Sequence, residues 1–532
     1  MVTKDYWMLS RPQRKLYRLP LTVAALHEAA GGSGWGGNRE SHIAFEEILE
    51  REGIKRPGAR RDQTGSGGRT HAALVRSLGL AFNSAETERL ELTQAGIALA
   101  EGGNPSAVLK HQVMKFQYPS VYSTSRGVDI SPAFKLRPFV LLLRLLLHPE
   151  LGGYLTNDEV ARVVILYGTG DTEADADRVA AEVRKYRSTE INEIEFVERF
   201  GKRGDTFEKL VARFGDIANT VFNWLEVTGV IDRRPGEVEL APSGGDEAAN
   251  LIEEYGRIKL IPNPEDEDRF QRAYGLPPGK SKDTRNLSGA KGITRNEFVR
   301  RQVTTKLTRM SEQELLVDGA TSDIVTRLVD ETGFGHAEVE KAAKKVLGTD
   351  RTLDNFLCSY QSLPHSSAKD APRKFEQATA ELFRRVFKLD AECVGQAGRE
   401  PDVVVTKPGE WRGIVDTKAY SGDYSLPSSH ERAMREYVET YRATPGAPLR
   451  FWIFIAASVS KGARYRVRQL ADLVDSPGSV IGMLAWIEMI RLGQKGKIDS
   501  ERMAELFTLN SELTVEDLKK DLSADRGVPL GQ

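Results

Sequence analysis

The segment PDVVVTKPGEWRGIVDTKAYSG, residues 401–422, constrains the fold more tightly than any other part of the chain. Val403, Val404 and Val405 form one β-branched run, Ile414 and Val415 a second, and Lys407-Pro408-Gly409-Glu410 lies between them. β-Branched side chains suit a pleated surface and a Pro-Gly step reverses the chain, so the segment reads as a hairpin. Asp402 enters the first strand. Asp416 and Lys418, two residues apart on the second, project from one face. A bare D-x-K after a Pro-Asp is most often a surface ion pair, so its meaning depends on what surrounds it.

The surroundings read as a small α/β domain. Residues 372–387 have helical spacing, with Phe375, Ala378, Leu382, Phe383 and Val386 on one side. The hairpin follows, then a helix over 428–442, a buried strand over 449–456 (LRFWIFIA), a helix over 463–474 and a strand over 478–484. This order predicts a mixed central sheet flanked by helices. Glu376, on the helix ahead of the hairpin, is a candidate auxiliary carboxylate, with a solvated helix position as the plain alternative.

A chain of 532 residues exceeds one hydrophobic core. Two amino-terminal stretches each place a helix before a short two-stranded wing. In the first, helical spacing over 41–52 and 70–80 precedes strands near 80–82 and 89–92 and a helix over 93–101. In the second, a helix over 216–228 precedes strands at 230–232 and 238–240, with Arg233 and Arg234 at the turn. Both suit winged helix-turn-helix units, and a generic hairpin is the alternative for each. The expected class is multidomain α+β: winged-helix-like domains at 1–165 and 166–275, a linker and helical connector at 276–365, and the α/β domain at 366–532. Leucines dominate 136–148, and Thr156 begins a capped helix reaching about Tyr167.

The formal net charge of −1 does not advertise a nucleic-acid binder, but the cations are clustered. Residues 55–69 carry Lys55, Arg56, Arg60, Arg61 and Arg69 against Asp62 alone, in a glycine-rich stretch. With Lys110, Lys115, Arg233 and Arg234 they are candidate phosphate contacts, since a neutral protein can bind DNA through cations gathered on one face. The longest apolar run, 139–147, is broken by Arg144 and too short for a bilayer. The first residues lack a signal-peptide core, and the two cysteines, Cys358 and Cys393, form no C-x-x-C. The expectation is a cytoplasmic protein without zinc or disulfides.

The stretch IVDTKAYSGDYSLP, residues 414–427, resembles the cleavage domain of the FokI-type restriction endonucleases, members of the PD-(D/E)xK nuclease superfamily. The resemblance extends through most of 372–525, including RFWIFIAASVSKGARYRVRQL and LTVEDLKKDL. Towards the amino terminus, KHQVMKFQYPS and VFNWLEVTGVIDRR are similar to recognition regions of AlwI-type and nicking endonucleases. The resemblance implies a Type IIS enzyme that binds an asymmetric double-stranded DNA site and cuts both strands outside it, leaving 5′-phosphates. It further implies a partner DNA methyltransferase in the host. Asp402 and Asp416 would ligate Mg²⁺ with the Thr417 carbonyl, Lys418 would orient or deprotonate the attacking water, and Tyr420 would pack nearby. The family pairs two copies through an aspartate and an arginine one turn apart, and here Arg432 and Glu436 hold those places with the charges exchanged. A self-association helix and a simple intrahelical ion pair both fit that spacing. The alternatives are a strand-specific nickase, a DNA-binding regulator with an inert nuclease-like domain, and a junction or repair nuclease.

Overall fold

The computed structural model describes residues 3–524 except 14, 31–33, 57–63, 102–104, 125–128, 190–191, 202–203, 235, 242–243, 288–293, 317–318, 348, 366–369, 396–399, 420–422 and 461. Arg60, Arg61 and Tyr420 therefore lie outside the described residues. The chain forms two compact units. The first is Met1–Asp232 with Gly236–Glu312 and Leu316–Cys358, and the second is Ser359–Gln532 with Arg233–Pro235 and Gln313–Leu315.

In the first unit a single apolar core runs from Trp7 to Tyr274. This corrects the expected boundary at 165/166. Strand Tyr154–Thr156 pairs with Glu237–Leu240, joining Ile231–Arg234 in a three-stranded sheet that bridges the two sides of that point. Helix Phe207–Leu225 begins nine residues before the expected start because Thr206 caps it, its side chain accepting from the Lys209 amide. The capping box at Thr156 and Glu159 forms as the sequence suggests, and the turn Val160–Val164 that follows is wound as a π-helix. The first hairpin, Ala81–Asn83 with Leu90–Leu92, also falls where expected.

Residues 276–287 lack regular secondary structure and are pinned to the unit. Asp283 accepts from Arg272 at 3.3 Å and Arg285 at 2.7 Å, while Arg285 also donates to the Leu92 carbonyl at 2.9 Å. Helices Arg295–Gln313, Ser322–Thr332 and His336–Val346 then pack around a small core of their own, including Val303, Leu328 and Val339.

The second unit is an α/β sandwich built on six strands. In chain order it contains α1 (Ala371–Arg385), β1 (Asp390–Cys393), β2 (Val403–Lys407), β3 (Trp411–Lys418), α2 (Ser428–Ala443), β4 (Leu449–Ala456), α3 (Ala463–Val474), β5 (Gly478–Gly482), α4 (Met483–Gln494), α5 (Ser500–Phe507), β6 (Glu512–Leu513) and α6 (Val515–Ala524). The sheet order is β6-β5-β4-β3-β2-β1, with β3 to β6 parallel and the β1–β2 and β2–β3 pairs antiparallel. Central β4 is apolar almost throughout because both of its faces are covered. Ile414, Trp452, Phe454 and Val480 pack with α2 and α3 residues such as Met434 and Val467. Trp486 of α4 packs at a tilt against Phe383 of α1 and Phe507 of α5. Gly413 and Gly478 leave room for the rings of Phe451 and Trp452, to which an added Cβ would come within 2.3 and 2.0 Å.

Candidate active site

The hairpin forms, and its register assembles the predicted carboxylates. Val403 pairs with Val415, so Asp402, one residue before β2, lies across from Asp416 on β3. Asp402 is held from the neighbouring strand: its Oδ2 accepts from the Thr417 amide at 2.6 Å and the Thr417 hydroxyl at 2.8 Å. Asp416 is 3% exposed, and its Oδ1 lies 2.8 Å from Lys418 Nζ. That ammonium also sits 5.7 Å from the centre of the Phe454 ring. Burial pushes the Asp416 carboxyl above the usual carboxylate range; Lys418 pulls it back, and the charge of Asp402 adds to the rise.

Glu376 of α1 lies within electrostatic reach of Asp402 and Lys418. Its carboxyl is pushed up to about 7, first by burial and then by the charge of Asp402, with Arg373 and Lys418 acting the other way. Three side chains that the sequence reading did not single out also face the charges. The Tyr437 phenol on α2 is pushed up to about 12 by burial, with Asp416 and Asp402 adding to it. Burial and then Lys418 hold the His430 imidazole below its ordinary value. Burial raises the Cys393 thiol, opposed by Arg384 and assisted by Glu376 and Asp402. None of the three stands near the D-x-K motif in sequence. Cys393 arrives by pairing with Val403, and the others arrive on α2, so only the tertiary fold reveals them.

The donor set suits a hard divalent cation. Two carboxylates are brought into register, and the buried one is raised first by burial and further by its acidic neighbour, a repulsion that a cation relieves. Among the described residues no set of three or more His, Cys, Asp or Glu side chains forms a metal cage. A shell of one or two carboxylates completed by water, peptide and phosphate oxygens is the usual manner of binding magnesium.

Arg432 and Glu436 are both exposed on α2. Arg432 Nε donates to the Ser428 carbonyl at 3.3 Å, and among the described residues the two side chains form no ion pair with each other.

The amino-terminal cations divide. Lys55 lies between Glu46 at 3.0 Å and Glu50 at 2.6 Å, and Lys110 pairs with Glu247 at 2.6 Å. Lys115 departs furthest from a phosphate contact: its ammonium donates to the Tyr274 carbonyl at 2.6 Å, and burial lowers it to about 8. Arg56 and Arg69 are exposed, Arg69 donating to the Thr64 carbonyl at 2.6 Å. Arg233 and Arg234 end the strand Ile231–Arg234 and are half-buried. No helix among the described residues is long and apolar enough to cross a membrane.

Residues 333–514 match the family model for the cleavage domain of FokI. The Type II restriction enzyme FokI of Planomicrobium okeanokoites is 27% identical over 141 residues, 23% of this chain and 24% of that protein. The match thus spans about a quarter of the curated relative. Among solved structures, restriction endonuclease FokI overlaps 97% of this chain and 100% of its own at 13% identity and a TM-score of 0.28. The BpuJ1 endonuclease binding domain, in complex with pyrene- and phenanthrene-modified DNA, overlaps 52% of this chain and 97% of its own at 15% identity and a TM-score of 0.36. The carboxy-terminal part of the chain, residues 333–514, is thus similar in sequence to the cleavage domain of FokI.

Proposed function

We propose that the protein is a Type IIS restriction endonuclease. In this reading the first unit binds an asymmetric double-stranded DNA site, and the second hydrolyses phosphodiesters at a fixed distance outside it. The observation that carries the reading is the register of β2 on β3, which sets Asp402, Asp416 and Lys418 together inside a FokI-type domain. Asp402, Asp416 and the Thr417 carbonyl would hold Mg²⁺, which would supply charge neutralisation at the phosphate. The Lys418 ammonium, fixed by Asp416, orients the attacking water and stabilises the negative charge that grows on the phosphoryl oxygens. The attacking water releases a proton to solvent as its oxygen bonds to phosphorus and the bond to the 3′-oxygen breaks. The 3′-oxygen takes a proton from solvent, leaving a 3′-hydroxyl and a 5′-phosphate. Glu376 adds a third carboxylate at the edge of the site.

Winged-helix-like elements, Arg56 and Arg69 among their neighbours, supply the DNA backbone contacts in this reading, while base edges are read elsewhere in the first unit. Incubation of the full chain with genomic DNA and Mg²⁺, followed by end sequencing, tests it. The expected result is a set of breaks at one offset from a common sequence, abolished by Asp416→Ala. Breaks that persist in Asp416→Ala overturn the assignment of the site.

A further inference from the structure

Asp402 lies one residue before β2 rather than within it, so something besides its strand neighbours must hold it. On the sheet side the Val394 amide donates to the Asp402 carbonyl at 3.1 Å, and Thr417 holds the carboxylate. On the helix side the half-buried Tyr441 of α2 donates its hydroxyl to Glu400 Oε2 at 2.9 Å, two residues before Asp402. Tyr441 is itself fixed from β3. The guanidinium of Arg412, 9% exposed, lies 5.3 Å from the centre of the tyrosine ring. The same group donates to the carbonyls of Tyr441 and, at 2.6 Å, Thr444. A closed circuit therefore runs from Arg412 on β3 through Tyr441 and Glu400 to Asp402, and back to β3 at Thr417. Burial and the bond to Glu400 both raise the phenol, so it is the neutral donor of a charge-assisted hydrogen bond.

The geometry points to Tyr441 as a positioning residue that seats the metal-binding carboxylate of Asp402 through Glu400. This role rests on the cleavage reading given above. Tyr441 touches neither substrate nor metal; it sets where Asp402 stands.

Four variants of the full chain test it: Tyr441→Phe, which removes only the hydroxyl, Glu400→Ala, Glu400→Gln, which keeps an acceptor, and Tyr441→Phe combined with Glu400→Ala. DNA affinity by gel shift and thermal melting stay as in wild type. Tyr441→Phe and Glu400→Ala each slow single-turnover cleavage about tenfold, the scale of losing a hydrogen bond to a charged group. Each also weakens Mn²⁺ binding to the DNA-bound protein severalfold, read from the electron paramagnetic resonance signal of the free ion. The combined variant is no slower than either single, because both break one contact. Glu400→Gln keeps most of the rate. A Tyr441→Phe protein that cuts and binds Mn²⁺ like wild type overturns the role, as does a combined variant whose defects multiply. A wild-type chain that cuts no DNA overturns the cleavage reading and this role with it. A wild type that cuts alongside an indifferent Tyr441→Phe overturns the positioning role alone.

Discussion

Thr417 gives Asp402 two hydrogen bonds, while Asp416 has one cation and almost no water. The difference determines how the site responds to pH. Asp416 and Glu376 both bind their protons more tightly folded than unfolded, since burial and the charge of Asp402 raise them. A carboxyl raised in this way contributes stability that is full below its unfolded value and is lost as pH rises through the folded one. For Glu376 the window runs from 4.5 to about 7. Metal-free protein should therefore melt at a lower temperature at about pH 8 than at about pH 5, as far as these groups contribute. Mg²⁺ should raise the melting temperature more at the higher pH, because it binds the deprotonated carboxylates. Asp416→Asn should flatten the pH slope and remove most of the Mg²⁺ effect. Equal Mg²⁺ stabilisation in wild type and Asp416→Asn would sink the metal assignment.

At the scale of elements, close approach between β4 and its neighbours is what fixes the sheet beneath the site. Gly478 faces the Trp452 indole so closely that an added methyl must displace it, whereas a Cβ on Gly482, later on the same strand, would rest 3.7 Å from Val459. Gly478→Ala should therefore cost about 1–3 kcal/mol in urea unfolding, and Gly482→Ala less than about 0.5 kcal/mol. Equal costs would mean that the packing of Trp452 does not set the register. The elements that sequence reveals are those whose own composition specifies them: the β-branched hairpin, LRFWIFIA and the amphipathic α1 all lie where their patterns predict. Edge strands β1, with sequence DAEC, and β6, with sequence EL, have no such pattern and exist through pairing alone. The boundary at 165/166 failed for a related reason, because Tyr154 finds its strand partner Glu239 far along the chain. Candidate cations failed where a partner was invisible: Lys115 looks exposed in sequence until Tyr274 folds against it. The carboxylate pair itself was legible because hairpin pairing is local, but its wider setting of Tyr437, His430 and Tyr441 was not.

For the whole molecule, one chain supplies one Asp402–Asp416–Lys418 site, and a double-strand break needs two sites of opposite polarity. In the proposed function the second site comes from a second copy, and α2 is where the copies meet. Arg432 and Glu436 are one turn apart on an exposed face and make no ion pair with each other. Across a two-fold axis Arg432 of one copy meets Glu436 of the other, and the contact repeats itself with the roles exchanged. Arg432→Glu then sets carboxylate against carboxylate at both places, so plasmid DNA should accumulate as nicked circles with little linear product. Glu436→Arg should fail in the same way through opposed guanidiniums. The exchange Arg432→Glu with Glu436→Arg restores complementarity and should restore linear product. So should an equal mixture of the two single variants, since a mixed pair carries Glu opposite Arg at both contacts. Recovery on mixing cannot come from refolding of either variant alone. Linear product from Arg432→Glu at the wild-type rate would exclude this face of α2 as the meeting surface, and nicked circles from the wild type itself would make the protein a strand-specific nickase.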